Sequence, residues 1–179
     1  MKITKILLAS LGAVALLAAS LPNLTEAQTT NNSCQDPNYT KQLNPIYRQW
    51  NGDLIDHFYT NYANETAVRY VREQTTWGVV GTQAANTIPL YRYYSPALSD
   101  HFYSTSSTTP RDYMSEGMVG FIFPDTVPGA VPLYRLFRFI PGNPANGDHL
   151  YTTSTVERDA AGASGYQQEG IEGYVCPMS

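Results

Sequence analysis

The chain has 179 residues, of which 42% are hydrophobic and 15% are charged, and its formal net charge is -4. It contains 14 Tyr but only 6 Phe and 2 Trp, together with 13 Gly and 12 Pro. This composition favours one domain and excludes a disordered charged chain, a collagen-like chain and a disulfide-dense miniprotein. The acidic balance also predicts no nucleic-acid partner, and the Gly and Pro content favours many turns and short strands.

The first 27 residues have the pattern of a secretory signal peptide. Lys2 and Lys5 precede an apolar run over residues 6–19, and one candidate cleavage site ends at Ala27, with others just after the apolar run. The run is shorter than the roughly 20 apolar residues that a membrane span needs. We therefore expect a secreted, extracellular protein with no membrane span in the mature chain, in which a flexible segment at residues 28–33 precedes the domain.

The two cysteines, Cys34 and Cys176, stand near the two ends of the mature chain. In an oxidising compartment two cysteines placed in this way are expected to pair. No C-x-x-C motif or Cys/His cluster supports a zinc site at these positions. The sequence therefore predicts a disulfide that joins the termini.

An internal repeat of three units is the main signal in the sequence. The units span about residues 43–84, 87–128 and 130–176, and each contains P-[IL]-Y-R, then D-H-[FL]-Y-[TS], then an apolar closing segment with two Gly or a Trp-Gly start. All histidines of the chain occur in the second motif, at His57, His101 and His149. Because one unit is too small to bury a core, we expect the three units to share one.

Each unit is predicted to contain three strands and one short helix. The first motif and the second motif form a hairpin, in which His and Tyr face one side and Asp and Phe or Leu face the other. A helix should follow, over Asn64–Gln74, from Thr109-Pro110, and from Ser154 in the three units respectively. The closing segment is the third strand. We predict a mainly β domain with short helices over residues 34–178, with three pseudo-symmetric units around a central axis, as in a β-trefoil or a small propeller.

The motifs P-[LIV]-Y-R, D-H-F-Y-T and E-G-I-x-G-Y-V at this spacing resemble an uncharacterised repeat domain of secreted bacterial and fungal proteins. The resemblance covers nearly all of the mature chain and is strongest at residues 169–175, whereas the first unit departs from it at residues 77–81. In that family the domain stands alone or is attached to extracellular hydrolases, including peptidases and cell-wall lytic enzymes. The resemblance implies a β-rich extracellular module with a carbohydrate-binding or cell-surface role, and it supplies no catalytic residues.

The repeated polar residues allow two interpretations. In the first, they form a buried network that holds each hairpin, in which Asp caps a turn or pairs with the arginine across the hairpin. In the second, they line a ligand pocket in each unit, because sugars bind to aromatic faces and a few fixed polar groups. The candidate ligand-binding residues are Arg48, Asp56, His57, Tyr59, Arg92, Asp100, His101, Tyr103, Arg135, Asp148, His149 and Tyr151. The further candidate aromatic residues are Trp50, Tyr93 and Tyr94.

A metal site is an alternative for the histidines, since His57, His101 and His149 could meet on the axis as three zinc ligands. No other cofactor is expected. An enzyme is the least supported class, because no G-x-S-x-G or H-E-x-x-H motif occurs and because equivalent units do not provide residues with different catalytic roles. N-glycosylation sequons begin at Asn31, Asn38 and Asn64.

Our leading hypothesis is a secreted, non-catalytic, lectin-like module with up to three related sites for a glycan or a cell-wall polysaccharide. The first alternative is a structural or host-interaction protein without a glycan ligand. An extracellular hydrolase is the second alternative.

Overall fold

The computed structural model describes residues 33–66, 68–73, 77–140 and 147–178. This part of the chain is mainly β, with antiparallel strands and two short helices, and its strands do not close into a barrel. The predicted signal peptide lies outside the described residues. The elements in chain order are α1 (Pro37–Thr40), β1 (Leu43–Pro45), β2 (Tyr47–Asn51), β3 (Asp56–Thr60), β4 (Val71–Arg72), β5 (Trp77–Val80), β6 (Ile88–Ser95), β7 (Asp100–Ser104), β8 (Met114–Ile122), β9 (Val131–Phe139), β10 (Gly147–Thr152), α2 (Thr155–Ala163) and β11 (Gln167–Pro177).

Each repeat unit forms the same three-stranded arrangement, in which the strand of the P-[IL]-Y-R motif lies in the middle. This strand pairs on one side with the strand of the D-H motif, as β2 with β3, β6 with β7 and β9 with β10. It pairs on its other side with the third strand, as β2 with β4, β6 with β8 and β9 with β11. The predicted hairpins and third strands are therefore confirmed. In the first unit the third strand is split into β4 and β5.

The predicted helix forms in the third unit only. There α2 begins after Ser154, whose side chain accepts a hydrogen bond from the backbone N–H of Glu157. In the second unit the prediction at Thr109-Pro110 is wrong, because the region is a turn whose Ser side chains bond to nearby backbone N–H groups. In the first unit the predicted helix is also wrong, since Arg69 has a left-handed φ of 71° and β4 follows it.

The units join at two levels. At one level the D-H strands β3, β7 and β10 pack against one another pairwise. At the other level the ends of the third strands pair, as Val80 with Phe121, Gly78 with Cys176, and Phe123 with Tyr174. Between these levels lies a buried cluster to which all three units contribute. Its residues are Ile46, Tyr59, Trp77, Val79, Leu90, Tyr103, Val119, Ile122, Leu133, Tyr151 and Val175.

The ends of the domain are fixed to the rest of the chain. Cys34 and Cys176 form the predicted disulfide, with a Cα–Cα distance of 5.3 Å across a sequence separation of 142. Ser33, which was expected in a flexible segment, is buried and donates a hydrogen bond to the carbonyl of Pro128. The backbone N–H of Cys34 donates to the same carbonyl. The first segment of the domain is therefore held against the loop that precedes β9.

Two further findings concern the glycosylation sequons and the helices. The sequon residues Asn38 and Asn64 are exposed, whereas Asn31 lies outside the described residues. In the described part of the chain, none of the helices has the length and apolar character that crossing a bilayer requires.

Removing the disulfide should destabilise the fold. On the chain-entropy model, a bridge that closes a loop of this length stabilises by up to about 5 kcal/mol, so we expect the Cys34→Ser, Cys176→Ser double variant to lose about 3–5 kcal/mol of unfolding free energy. Urea unfolding of the oxidised protein and the variant measures this loss. A difference below about 1 kcal/mol would show that the termini are held mainly by other contacts.

Candidate functional site

The tyrosines of the D-H-[FL]-Y-[TS] motif form the centre at which the three units meet. Each ring contacts the other two edge-on, with centroid distances between 5.3 and 5.5 Å. The hydroxyl of Tyr103 accepts from the backbone N–H of Tyr59 and donates to its carbonyl oxygen. The hydroxyl of Tyr151 bonds to Tyr103, and that of Tyr59 to Tyr151, in the same way. The three residues therefore form a closed ring of hydrogen bonds between units.

This geometry corrects the interpretation of these tyrosines as sugar contacts. Tyr59, Tyr103 and Tyr151 expose only 1–2% of their surface, and Tyr93 exposes 1%. Burial raises the pKa of the three central hydroxyls well above the ordinary value, so they remain hydrogen-bond donors at neutral pH. These residues belong to the core.

Each aspartate of the motif binds the histidine of the next unit and not the residue beside it in sequence. Asp148 accepts from the backbone N–H of His57 at 2.8 Å, and its second oxygen lies 2.9 Å from Nδ1 of that ring. Asp56 with His101, and Asp100 with His149, repeat this pair of contacts, with Nδ1–Oδ2 distances of 2.6 Å. The predicted pairing of aspartate with arginine across the hairpin is therefore wrong. The repeated residues do form a buried network, but it links neighbouring units.

A tyrosine directly before each third strand adds a further hydrogen bond to the aspartate of its own unit. The tyrosines and their acceptors are Tyr70 and Asp56, Tyr113 and Asp100, and Tyr166 and Asp148. The residue before each tyrosine has a left-handed backbone, with φ of 71° at Arg69, 67° at Asp112 and 97° at Gly165. Since only the third position is glycine, the fold imposes this conformation on two residues that rarely adopt it.

The three aspartates lie close together where the D-H strands meet. Asp56, Asp100 and Asp148 expose at most 1% of their surface, and their carboxylate oxygens lie within 4.8 Å of one another. Among the described residues, this is the one group of three or more such side chains with potential ligand atoms at that spacing. The histidines do not form one, so aspartates stand where the sequence suggested a three-histidine metal site.

The charge on His149 compensates part of the buried negative charge. Burial lowers the pKa of His149, but hydrogen bonds with Asp100 and Glu169 outweigh burial and raise the pKa from 6.5 to about 9. His149 is therefore an imidazolium at neutral pH. Burial raises the pKa of Asp56, and hydrogen bonds from His101 and Tyr70 oppose that change.

On the side away from the aspartate, each histidine faces a glutamate that lies in the third strand or, for Glu73, directly after β4; these are called the third-strand glutamates below. The Nε2–Oε2 distances are 3.9 Å for His57 and Glu73, 3.7 Å for His101 and Glu116, and 3.5 Å for His149 and Glu169. The same glutamate oxygen lies 2.7–2.9 Å from Nε of the motif arginine, and a second glutamate binds a terminal nitrogen of that arginine. The glutamate pairs are Glu73 and Glu157 at Arg48, Glu65 and Glu116 at Arg92, and Glu169 and Glu172 at Arg135.

A sequence motif marks the three glutamates that face the histidines, and these glutamates were not among the predicted site residues. Each lies three residues after the tyrosine that binds the aspartate, so a Y-x-x-E motif recurs in every unit. Its members are Tyr70 and Glu73, Tyr113 and Glu116, and Tyr166 and Glu169. In the first two units the motif overlaps or adjoins the segment for which a helix was predicted. The sequence therefore did not predict an extended backbone at the motif.

An aromatic ring covers one face of each histidine. The rings of Trp50, Tyr94 and Phe137 lie 4.4–4.6 Å from the histidine rings that pair with them across the hairpin. All three aromatic side chains are half-buried. Trp50 and Tyr94 were among the candidate aromatic residues of the sequence, and Phe137 was not.

We use the name surface site for the aromatic residue, histidine, third-strand glutamate and motif arginine of one unit. The first comprises Trp50, His57, Glu73 and Arg48, the second Tyr94, His101, Glu116 and Arg92, and the third Phe137, His149, Glu169 and Arg135. The glutamate side chains of the three sites are 33–34% exposed, whereas the histidine side chains are only 8–12% exposed. The histidine is therefore nearly buried, and the glutamate is the more accessible of the two side chains.

Loss of one central hydroxyl should destabilise the fold strongly. Tyr103→Phe leaves the backbone N–H and carbonyl of Tyr59 without their partner in a buried site, which we expect to cost about 2–4 kcal/mol of unfolding free energy. Chemical denaturation measures the loss. The matched control Tyr62→Phe removes a hydroxyl from a residue that is 65% exposed, and it should change stability by less than about 0.5 kcal/mol. Equal effects of the two variants would contradict a structural role for the ring of tyrosines.

The imidazolium of His149 should make stability depend on pH. Because its folded-state pKa of about 9 exceeds the unfolded value of 6.5, its contribution is complete below pH 6.5 and is lost as pH rises towards 9. Unfolding free energies measured across this range should fall by up to about 3 kcal/mol in the wild type. The decrease should be smaller in His149→Gln, and an identical pH profile for both proteins would contradict the assignment.

A family model supports the sequence resemblance. The model described as "Domain of unknown function (DUF5648)" matches residues 26–111 and 107–176, two overlapping segments that together contain all three units and both cysteines. Comparison with curated proteins finds no match, and comparison with solved structures finds none either. The chain belongs to the DUF5648 family.

Proposed function

We propose that this protein is a secreted, non-catalytic binding module that holds a carbohydrate at up to three equivalent surface sites. The observation that carries the proposal recurs in every unit: one histidine has a half-buried aromatic ring against its face and a glutamate, about a third exposed, facing its Nε2. The residues originally proposed as ligand contacts divide into two groups. The aspartates, histidines and central tyrosines form the scaffold, and the arginines hold the glutamates.

The proposal includes a pseudo-threefold arrangement of the units, similar to a small propeller. Three sets of contacts support it, because each runs cyclically from one unit to the next: the ring of tyrosine hydroxyls, the aspartate–histidine pairs and the pairing of the third-strand ends. In such an arrangement the three surface sites lie at equivalent positions around the axis.

The chemistry of the surface site suits a sugar. The apolar face of a sugar ring packs against aromatic side chains, and its hydroxyl groups need a few polar partners at fixed positions. In the second site Arg92 donates hydrogen bonds to Glu65 at 2.9 Å and 3.1 Å, and its Nε forms an ion pair with Glu116 at 2.9 Å. These contacts hold the side chains in place before a ligand arrives. Prior ordering reduces the entropy that binding would otherwise lose.

Three equivalent sites also suit a repeating ligand. A polysaccharide offers the same group many times, so simultaneous occupation of several sites increases the overall affinity without new contacts. Secretion, which would bring the protein to such polymers, is supported by the disulfide and by the signal-peptide pattern of the first 27 residues.

A glycan array and sedimentation with insoluble cell-wall polysaccharides test the proposal. We expect binding by the wild type, modest losses for Trp50→Ala, Tyr94→Ala or Phe137→Ala singly, and a loss of about tenfold or more for the triple variant. The matched control is Phe139→Ala, which removes an aromatic side chain that is 58% exposed and outside the surface sites. Melting temperatures of all variants separate loss of binding from loss of the fold.

Failure of the wild type to bind any glycan or polysaccharide would overturn the proposal. The alternative would then be a structural or host-interaction protein, for which the buried network between units provides a stable scaffold.

A further inference from the structure

The surface sites carry an excess of negative charge. Every motif arginine lies between two glutamates, so one positive charge faces two negative charges at Arg48, Arg92 and Arg135 alike. The histidine of each site adds at most one positive charge, and the aspartate of the preceding unit balances it. Counted together with the second glutamate and this aspartate, the groups around each surface site therefore have at least one uncompensated negative charge.

The exposed glutamates have an oxygen that the protein does not use. Glu73, Glu116 and Glu169 each bind the arginine and face the histidine through Oε2. Within the described part of the chain, no hydrogen bond reaches Oε1 of these three residues, whereas Oε2 of Glu169 accepts one from Arg135. The hydrogen bond with His149 lowers the pKa of Glu169, which keeps this carboxylate ionised in mildly acidic solution. Each site thus presents a fixed anionic acceptor at its surface.

The aromatic rings of the sites suit a cationic ligand as well as an apolar one. The negative face of an aromatic ring attracts a nearby cation, and a carboxylate beside the ring increases this preference. The fold already uses the same interaction internally, with the Arg92 guanidinium 4.9 Å from the Phe58 ring centroid and the Arg135 guanidinium 5.1 Å from that of Phe102. An aromatic ring and an ionised carboxylate together select for an ammonium group.

We propose that the ligand of the surface sites is an amino sugar with a protonated amine, presented repeatedly along a polymer of β-linked glucosamine. This inference rests on the proposed carbohydrate-binding function. The ammonium group donates to Oε1 of Glu73, Glu116 or Glu169, and the sugar ring packs on Trp50, Tyr94 or Phe137. Acetylation of the amine removes the positive charge and leaves the negative charge of the site uncompensated.

Calorimetry with two oligosaccharides of equal length, a glucosamine hexamer and an N-acetylglucosamine hexamer, tests this inference. At about pH 5.5, where the amine is protonated, we expect the glucosamine hexamer to bind about tenfold more tightly than the acetylated one. The preference should decrease at about pH 8, where the amine is largely neutral, and should also decrease as salt is added, since ionic strength screens charges at a surface.

The combined variant Glu73→Gln, Glu116→Gln, Glu169→Gln should lose the preference for glucosamine while its side chains keep their shape. Asp125→Asn is the matched control, because it removes an exposed acidic charge away from the surface sites, and it should change the affinity by less than about twofold. The comparison of the two hexamers on the wild type remains decisive even where the triple variant does not fold.

The outcomes separate this inference from the proposed function. Equal or tighter binding of the N-acetylglucosamine hexamer, or of neutral glycans on the array, would overturn the amino-sugar inference and leave carbohydrate binding intact. Absence of binding to both hexamers and to every arrayed glycan would overturn both. Tighter binding of polylysine than of the glucosamine hexamer would also overturn the inference, because it would show that the sites select a cationic peptide.

Discussion

The carboxylate that each unit contributes to the histidine of the next is the interaction on which the rest of the structure depends. It fixes the distance and the rotation between neighbouring units, because the backbone N–H and Nδ1 of the same histidine both bind one aspartate. Three ionised carboxylates within 4.8 Å of one another would repel strongly in a buried site. Hydrogen bonds from histidine and tyrosine, and the positive charge on His149, offset that repulsion.

The same histidine connects the core to the surface. Its Nδ1 faces the buried aspartate of the preceding unit, its Nε2 faces a partly exposed glutamate, and one face of its ring contacts an aromatic side chain. The two interpretations of the repeated residues therefore concern opposite sides of the same histidine ring. The inner end sets the geometry between units, and this geometry positions the outer groups that we propose as ligand contacts.

The three units are equivalent in their inner contacts and differ at their outer ends. The aromatic residue is Trp50, Tyr94 or Phe137 in the first, second and third site. The second glutamate at the arginine lies in helix α2 at the first site (Glu157), in a loop at the second (Glu65) and in strand β11 at the third (Glu172). Glu65 and Glu157 occupy equivalent positions in the first and third units, and the equivalent residue of the second unit is Thr109. Because Thr109 has no carboxylate, Glu172 is the second glutamate at Arg135. The surface sites that we propose for a ligand therefore share the same inner contacts and differ in their outer side chains.

Local features of the sequence determined the strands and the capped helix after Ser154, because alternation, turn residues and capping act between residues that are close in the chain. The repeat was visible as recurring motifs, and the disulfide partners followed from the presence of two cysteines in the chain. The tertiary structure alone decided that Asp56 binds His101, that the motif tyrosines close a buried ring, and that Glu73, Glu116 and Glu169 hold the arginines. These contacts join residues of different units or different strands, and no local pattern specifies which partner lies opposite. The helices predicted in the first two units failed for the same reason, since the tyrosine that must reach the buried aspartate requires a left-handed turn and an extended strand at that position.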